Sequence, residues 1–192
     1  MTLIKNLGFQ SVCISIFLFS LMTLTRGSHL LSSISLPDAS LVLFLIGGIY
    51  LKNIRFFIAL FLLGLFIDFG AAALDPKLGF CLTKGYWGLI PAYASLWVCG
   101  YFLNKQKYLQ KLSIFIPYVS IAVVVAFLIS TQTYYLFSGR FPNNGVIETI
   151  QYGWNYLPSY MGFTAMYLIG FWLLAKASAK FNFAKQPDNS IA

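Results

Sequence analysis

Residues 114–137, with the sequence IFIPYVSIAVVVAFLISTQTYYLF, decide the fold class of this chain. The run has no charged side chain and is longer than the ~20 apolar residues that a helix needs to cross a bilayer. The whole chain has the same character, because 59% of its 192 residues are hydrophobic and only 9% are charged. A soluble domain carries about 25% charged residues. The sequence therefore predicts a membrane protein and excludes a soluble globular domain.

Five further apolar runs predict an all-α membrane protein with six transmembrane helices. They cover residues 7–24, 39–51, 56–73, 86–103 and 154–175. Pro37 and Asp38 precede the second run and are typical of a helix start. Pro91 lies inside the fourth run and predicts a kink. We expect residues 1–178 to form one substrate-binding membrane domain and residues 179–192 a polar cytoplasmic tail, which leaves no room for an ATPase domain.

Lysine and arginine residues predict the orientation of the helices. Most of them lie in connections on one side of the membrane, and the cytoplasmic side is normally the basic one. Both termini are then cytoplasmic, with these residues inside: Lys5, Lys52, Arg55, Lys105, Lys107, Lys111, Lys176, Lys180 and Lys185. Arg26, Lys77, Lys84 and Arg140 lie outside. The net charge of +8 is thus a topology signal, and no nucleic-acid partner is expected.

Asp68 is the first candidate for a functional residue. A carboxylate near the outer end of the third helix is costly in a membrane and is expected to face the bundle interior or a cavity. It shares a helix face with Gly64, Ala71 and Asp75, so the face also allows close packing. The alternative is that Asp68 pairs with a neighbouring hydroxyl or lysine for structural reasons.

Aromatic side chains predict a pocket at the outer end of the bundle. Tyr86, Ile90, Tyr93 and Trp97 recur at helical spacing, although such a stripe is more often packing. Residues 131–135 and the tyrosines and tryptophan at the start of the last helix reach the same level: Tyr152, Trp154, Tyr156 and Tyr160. These groups predict an aromatic pocket that is open to the outside and contains a few polar groups.

Cys81 lies in the outer connection, between Lys77 and Lys84. The two lysines would favour a thiolate, which binds soft metals and attacks electrophiles. An inert buried thiol is the alternative reading. Cys13 and Cys99 lie within helices, where a thiol usually only packs. The single histidine, His29, lies in the first outer connection, where a lone histidine is more often neither ligand nor proton carrier.

Three segments carry a resemblance to a known family: residues 36–40 (LPDAS), 64–68 (GLFID) and 78–87 (LGFCLTKGYW). In these segments the chain resembles the BtuM-type cobalamin transport proteins of the bacterial inner membrane. That family is similar to the S-components of energy-coupling-factor vitamin transporters. The resemblance implies an S-component-like bundle that binds cobalamin or cobinamide. It also implies that Cys81 is the axial ligand to cobalt and that Asp68 and Tyr86 line the corrin pocket. Tyr93, from the aromatic stripe, is a further candidate for binding the ligand.

The resemblance further implies decyanation of cyanocobalamin by Cys81, as a side chemistry of a transporter. Residues 138–153 are then the candidate lid. The first helix offers only Gly8, Ser11 and Ser15 where S-components that share an ATPase module carry an alanine pair, which disfavours docking to such a module. Two alternatives stay open: an S-component for a smaller vitamin, with Cys81 incidental, and an MreD-type structural scaffold of the membrane.

Overall fold

The computed structural model describes residues 9–27, 36–141 and 145–184. Within these residues the chain is helical and has no strand, which confirms the all-α class. The helices are α1 (Phe9–Arg26), α2 (Ser40–Tyr50), α3 (Ile54–Leu74), α4 (Leu89–Lys105), α5 (Leu112–Phe137), α6 (Val146–Gly153) and α7 (Leu157–Ala184). Short 3-10 turns lie between them at Pro76–Cys81, Lys84–Gly88, Tyr108–Gln110 and Trp154–Tyr156.

Three segments of the described chain are long and apolar enough to cross a membrane. They are α3, α5 and the stretch Val146–Leu174, which comprises α6, the following turn and most of α7. The helices α1 and α2 are apolar but shorter. The helices other than α6 lie on the six apolar runs of the sequence, whereas six spans and cytoplasmic termini stay predictions.

The start of α4 and the end of α7 differ from those predicted. α4 begins at Leu89 because Tyr86 belongs to the preceding 3-10 turn. Pro91 therefore lies in the first turn of α4, where its missing N–H has no helical partner to lose, and the reason for a kink disappears. α7 continues to Ala184, so part of the predicted tail is helical. Alanine and lysine, which are strong helix formers, are frequent in this extension.

The core of the bundle is built around α2. Nearly every residue of this helix is buried, and its most extensive contact is with α4. Two glycines allow the backbones of the two helices to touch. A methyl group at Gly48 would collide with the carbonyl oxygen of Trp97, and one at Gly100 would collide with that of Leu45. We call this close contact the α2–α4 seam.

The connection from α3 to α4, residues 75–88, consists of two capped 3-10 turns. The Asp75 carboxylate accepts a hydrogen bond from the Lys77 backbone N–H at 2.9 Å, and the Thr83 hydroxyl accepts one from the Gly85 N–H at 3.3 Å. The second turn packs against α5, where Gly88 lies directly on Thr133. Cys81 is therefore the last residue of a turn with a defined start, and only Leu82 and Thr83 separate it from the second turn.

The bundle has two chemically different ends. The Arg26 end contains the end of α1, the start of α2, the end of α3 and the start of α4, which hydrogen bonds between side chains bring together. At the opposite end, which we call the Lys105 end, the Asn104 amide donates a hydrogen bond to the Ile49 carbonyl. The described acidic residues all lie at the Arg26 end: Asp38, Asp68, Asp75 and Glu148.

Candidate functional site

Arg26, the last residue of α1, forms the centre of the candidate site. Its Nε donates to Asp68 Oδ1 at 2.7 Å, and its Nη2 donates to Asp68 Oδ2 at 2.6 Å. The Arg26 side chain is only 11% exposed. A bidentate pair of this geometry joins α1 rigidly to α3 and satisfies the carboxylate that the sequence places in the membrane.

The third guanidinium nitrogen of Arg26 joins two more helices to the site. Nη1 donates to the Ser40 hydroxyl at 2.8 Å and to the Tyr93 hydroxyl at 3.1 Å. It also lies 3.5 Å from Asp38 Oδ2. The Ser40 hydroxyl donates in turn to Asp38 Oδ1 at 2.6 Å. The starts of α2 and α4 are thereby fixed to the end of α1.

Tyr86 connects this network to the segment that carries Cys81. Its hydroxyl donates to Asp68 Oδ2 at 2.8 Å, and its side chain is 6% exposed. Tyr86 lies in the turn before α4, outside the membrane-spanning helices. Burial raises the pKa of its phenol well above the ordinary value, so the hydroxyl stays a donor. Asp68 lies before the connection of residues 75–88 that carries Cys81, and Tyr86 lies near the end of this connection. The hydrogen bond between Asp68 and Tyr86 therefore joins its two ends.

The structure therefore brings together three of the residues predicted from the sequence, Asp68, Tyr86 and Tyr93. Two further residues, Arg26 and Ser40, were not predicted as site residues, and Arg26 was assigned only as a charge in the outer connection. The signal for Arg26 was present, since a carboxylate at membrane depth needs a cationic partner and Arg26 ends an apolar run at the same end of the bundle. We call these five residues and Asp38 the Arg26 network.

Cys81 is the last residue of the first 3-10 turn, and its side chain lies outside the described part of the chain. Lys77 and Lys84, on either side of it, are exposed. The neighbouring Phe80 ring contacts the Arg140 guanidinium, whose carbon lies 3.8 Å from the ring centre. His29, the other residue considered as a ligand, also lies outside the described residues.

A cavity of about 310 Å³ lies beside the Arg26 network, at the same end of the bundle. Four helices and the residues before α2 form its wall, which contains Asp38, Leu41, Val42, Leu89, Ala92, Tyr93, Ser130, Tyr156, Ser159, Tyr160, Phe163 and Thr164. Tyr93 belongs to both the cavity and the network. Leu89 follows directly on the turn after Cys81, so the cavity and the Cys81 connection meet at the start of α4.

Only some of the predicted aromatic residues line the cavity. Tyr93, Tyr156 and Tyr160 do so, as expected. Trp97 instead packs edge-on against Phe57, with the ring centres 5.6 Å apart, and Ile90 is exposed. Trp154 packs near Phe127, with a centre distance of 6.4 Å. The Tyr152 side chain lies outside the described residues.

Residues 131–135 do not line the cavity, and three of their polar side chains form hydrogen bonds within and between helices. The hydroxyls of Thr131 and Thr133 donate to carbonyls of their own helix. Gln132 is hydrogen-bonded to the buried Thr149 and thereby joins α5 to α6. The candidate lid thus contains a helix that is docked on α5, while residues 142–144 of it lie outside the described chain.

Comparisons with protein-family models and with curated proteins find no match to this sequence. Among the described residues, no group of three or more histidine, cysteine, aspartate or glutamate side chains could hold a metal ion. The features of this chain that bear on its function are therefore the Arg26 network, the cavity and the connection that carries Cys81.

Proposed function

We propose that this chain binds cobalamin or cobinamide at the Arg26 end and takes it up across the bacterial inner membrane. One observation carries the proposal: the Arg26 network ties Asp68 to Tyr86, on both sides of Cys81, and extends through Tyr93 into a cavity. A soft sulfur ligand is thus carried on a connection that is anchored beside a ligand-sized space, among the outer ends of helices embedded in the lipid bilayer.

Coordination to cobalt is the chemistry expected of Cys81. Cobalt in a corrin ring accepts an axial ligand, and a thiolate is a soft donor. The charges of Lys77 and Lys84, three to four residues away, favour the thiolate over the thiol. In this proposal the corrin ring lies over the connection, with its edge at the cavity mouth near Leu89.

Decyanation follows from the same coordination without any redox partner. The thiolate of Cys81 donates its electron pair to cobalt and forms the Co–S bond. Cyanide leaves with the electron pair of the Co–C bond and takes up a proton from water. Cobalt keeps its oxidation state throughout, so the step is a ligand exchange that accompanies transport.

The visible spectrum of the purified protein tests the proposal. After expression with cyanocobalamin, wild-type protein should carry a corrinoid with a spectrum that differs from that of the free vitamin. Cys81→Ser should lose that difference and most of the bound corrinoid. Cys13→Ser is the matched control, because its thiol is exposed on α1. A colourless wild type, or an unchanged spectrum in Cys81→Ser, would overturn the proposal.

Uptake is tested in a bacterial host that lacks its own corrinoid importer and needs cobalamin to grow. Wild-type chain should restore growth at low cobalamin concentration, and Cys81→Ser should not. Repeating the growth test without an energy-coupling ATPase module tests whether the chain works alone. The first helix favours growth without the module, since it offers serine and glycine where an alanine pair would be expected.

A second candidate is a binding protein for a smaller vitamin, and the cavity volume favours it. A volume of about 310 Å³ is near the lower limit of ligand pockets, which span roughly 300–1,000 Å³. A smaller ligand would fill this cavity, and Cys81 would then have no part in binding. Binding of flavin, thiamin or biotin with the same affinity in wild type and in Cys81→Ser would support this candidate. A bound, coloured corrinoid in the purified protein would exclude it.

A further inference from the structure

The Arg26 network contains more negative than positive charge. One guanidinium faces the carboxylates of both Asp38 and Asp68, which leaves a net charge of −1 at neutral pH. Within the described chain, no lysine, arginine or histidine lines the adjoining cavity. Asp68 is paired with the buried Arg26 side chain, so the excess negative charge is that of the half-exposed Asp38.

Asp38 brings this negative charge to the wall of the cavity. Its Oδ1 accepts hydrogen bonds from the Ser40 backbone N–H at 2.9 Å and from the Ser40 hydroxyl at 2.6 Å. Its Oδ2 lies 3.5 Å from Arg26 Nη1, which is longer than a good hydrogen bond. The side chain is 52% exposed, so Oδ2 retains room to accept a further hydrogen bond from a ligand.

We infer that Asp38 makes the site selective for amidated corrinoids. The inference rests on the proposed function and names the part of the ligand that the cavity holds. The periphery of a corrin carries carboxamide side chains, whose N–H groups can donate to Asp38 Oδ2. The corresponding carboxylate has nearly the same shape but offers no donor, and two carboxylates in contact repel each other. A corrinoid that carries a free carboxylate at this position is therefore rejected.

The hydrogen bonds to Ser40 do not account for the charge of Asp38. They use only Oδ1, and the side-chain carbonyl of asparagine is also an acceptor. Asp38→Asn therefore keeps an acceptor for Ser40 and removes the negative charge. Arg26 retains its bidentate partner Asp68 in this variant, so the rest of the network stays paired.

The test compares cyanocobalamin with its monocarboxylate isomers, in each of which one side-chain carboxamide is replaced by a carboxylate. Dissociation constants are measured in detergent by calorimetry for wild type and Asp38→Asn. Wild type should bind at least one isomer more weakly than cyanocobalamin by about tenfold or more, the effect of a single like-charge contact. In Asp38→Asn, the ratio of the dissociation constant of that isomer to that of cyanocobalamin should be close to one.

Two further variants make the result specific. Glu148→Gln removes an exposed negative charge at the same end of the bundle, outside the cavity, and should leave the wild-type ratio unchanged. Asp38→Thr, which introduces another neutral side chain that accepts hydrogen bonds, should give the result expected of Asp38→Asn if the latter folds poorly. A wild type that binds every isomer as tightly as cyanocobalamin, or a ratio that both Asp38 variants preserve, would overturn the inference while corrinoid binding stands. A wild type that binds no corrinoid would overturn the proposed function and the inference with it.

Discussion

α2 is held in two different ways along its length. At its start, Ser40 is fixed by hydrogen bonds to two charged side chains of the Arg26 network, the buried Arg26 and the half-exposed Asp38. Two turns later, Gly48 is fixed by direct contact with the backbone of α4 and involves no charge. The first region depends on paired polar groups and the second on shape alone.

The difference teaches what each region contributes. Close packing of small residues stabilises helices in a membrane, where apolar side chains gain little by leaving lipid. A buried ion pair is weak evidence for stability, because desolvation offsets most of the attraction between the charges. The α2–α4 seam therefore supplies stability, whereas the Arg26 network fixes the positions of Asp38, Tyr86 and Tyr93 around the candidate site.

The strongest way to break this comparison is to remove Arg26. Arg26→Leu should lower the free energy of unfolding by about 3–5 kcal/mol, because it leaves the Asp68 carboxylate without a cation. Denaturant unfolding in detergent measures the change. The double variant Arg26→Leu with Asp68→Leu should recover most of the loss and still fail to bind corrinoid. A double variant as unstable as the single one would show that the network serves stability after all.

Gly48→Ala tests the other region. The added methyl group meets a backbone carbonyl that cannot turn away, so we expect a loss of about 3 kcal/mol, at the upper end of overpacking effects. The same unfolding measurement applies. Gly162→Ala in α7 is the control, because a methyl group there meets no atom within 4 Å. It should raise stability by up to about 1 kcal/mol, and equal effects of the two variants would contradict the seam.

Tyr86→Phe tests a single contact of the Arg26 network, because it removes only the hydrogen bond from Tyr86 to Asp68. We expect a loss of about 1.5 kcal/mol, the lower value for a bond to a charged group, since Asp68 keeps Arg26. Burial raises the pKa of Tyr86, so only the unfolded chain ionises this group just above pH 10. Wild type therefore loses the contribution of Tyr86 as the pH rises above 10, and its advantage over Tyr86→Phe should shrink there. Tyr101→Phe, at an exposed position, is the control.

The smallest effect is expected at Lys107, at the Lys105 end, because this residue belongs to neither the Arg26 network nor the α2–α4 seam. Lys107 has a φ angle of 57°, in the left-handed region that costs a residue with a side chain about 1 kcal/mol. Lys107→Gly should therefore raise the free energy of unfolding by up to that amount and leave ligand binding unchanged. Lys105→Gly, in the last turn of α4, should lower stability instead. A loss in both variants would mean that the Lys107 side chain has a structural role.

The sequence predicted the helices well because membrane helices are long apolar runs that need no partner to be recognised. The start of α4 was wrong because Tyr86 continues the helical spacing of Tyr93 and Trp97 but belongs to a 3-10 turn. The same misassignment placed Ile90 on the buried face. Turn type at this point depends on the contact between Gly88 and Thr133, which are distant in sequence.

For the site, the sequence identified residues whose presence in a membrane is costly but not the partners that satisfy them. Asp68 stood out because its charge lies at membrane depth. Arg26 did not, because an arginine at the end of an apolar run is also what the membrane interface favours. The two residues are 42 positions apart, and no local pattern joins them. The residues that line the cavity could not all be predicted either, because they come from four helices that are distant in sequence.

The α2–α4 seam also limits how the cavity can change shape. Backbones that touch at Gly48 and Gly100 cannot slide past each other without a steric clash, so we expect α2 and α4 to move as one rigid unit. Asp38, directly before α2, and Tyr93 in α4 lie on this side of the cavity, whereas Tyr156, in the turn before α7, and Tyr160 in α7 lie on the opposing wall. If the entrance widens, we therefore expect the wall formed by α7 to move and Asp38 to stay in place.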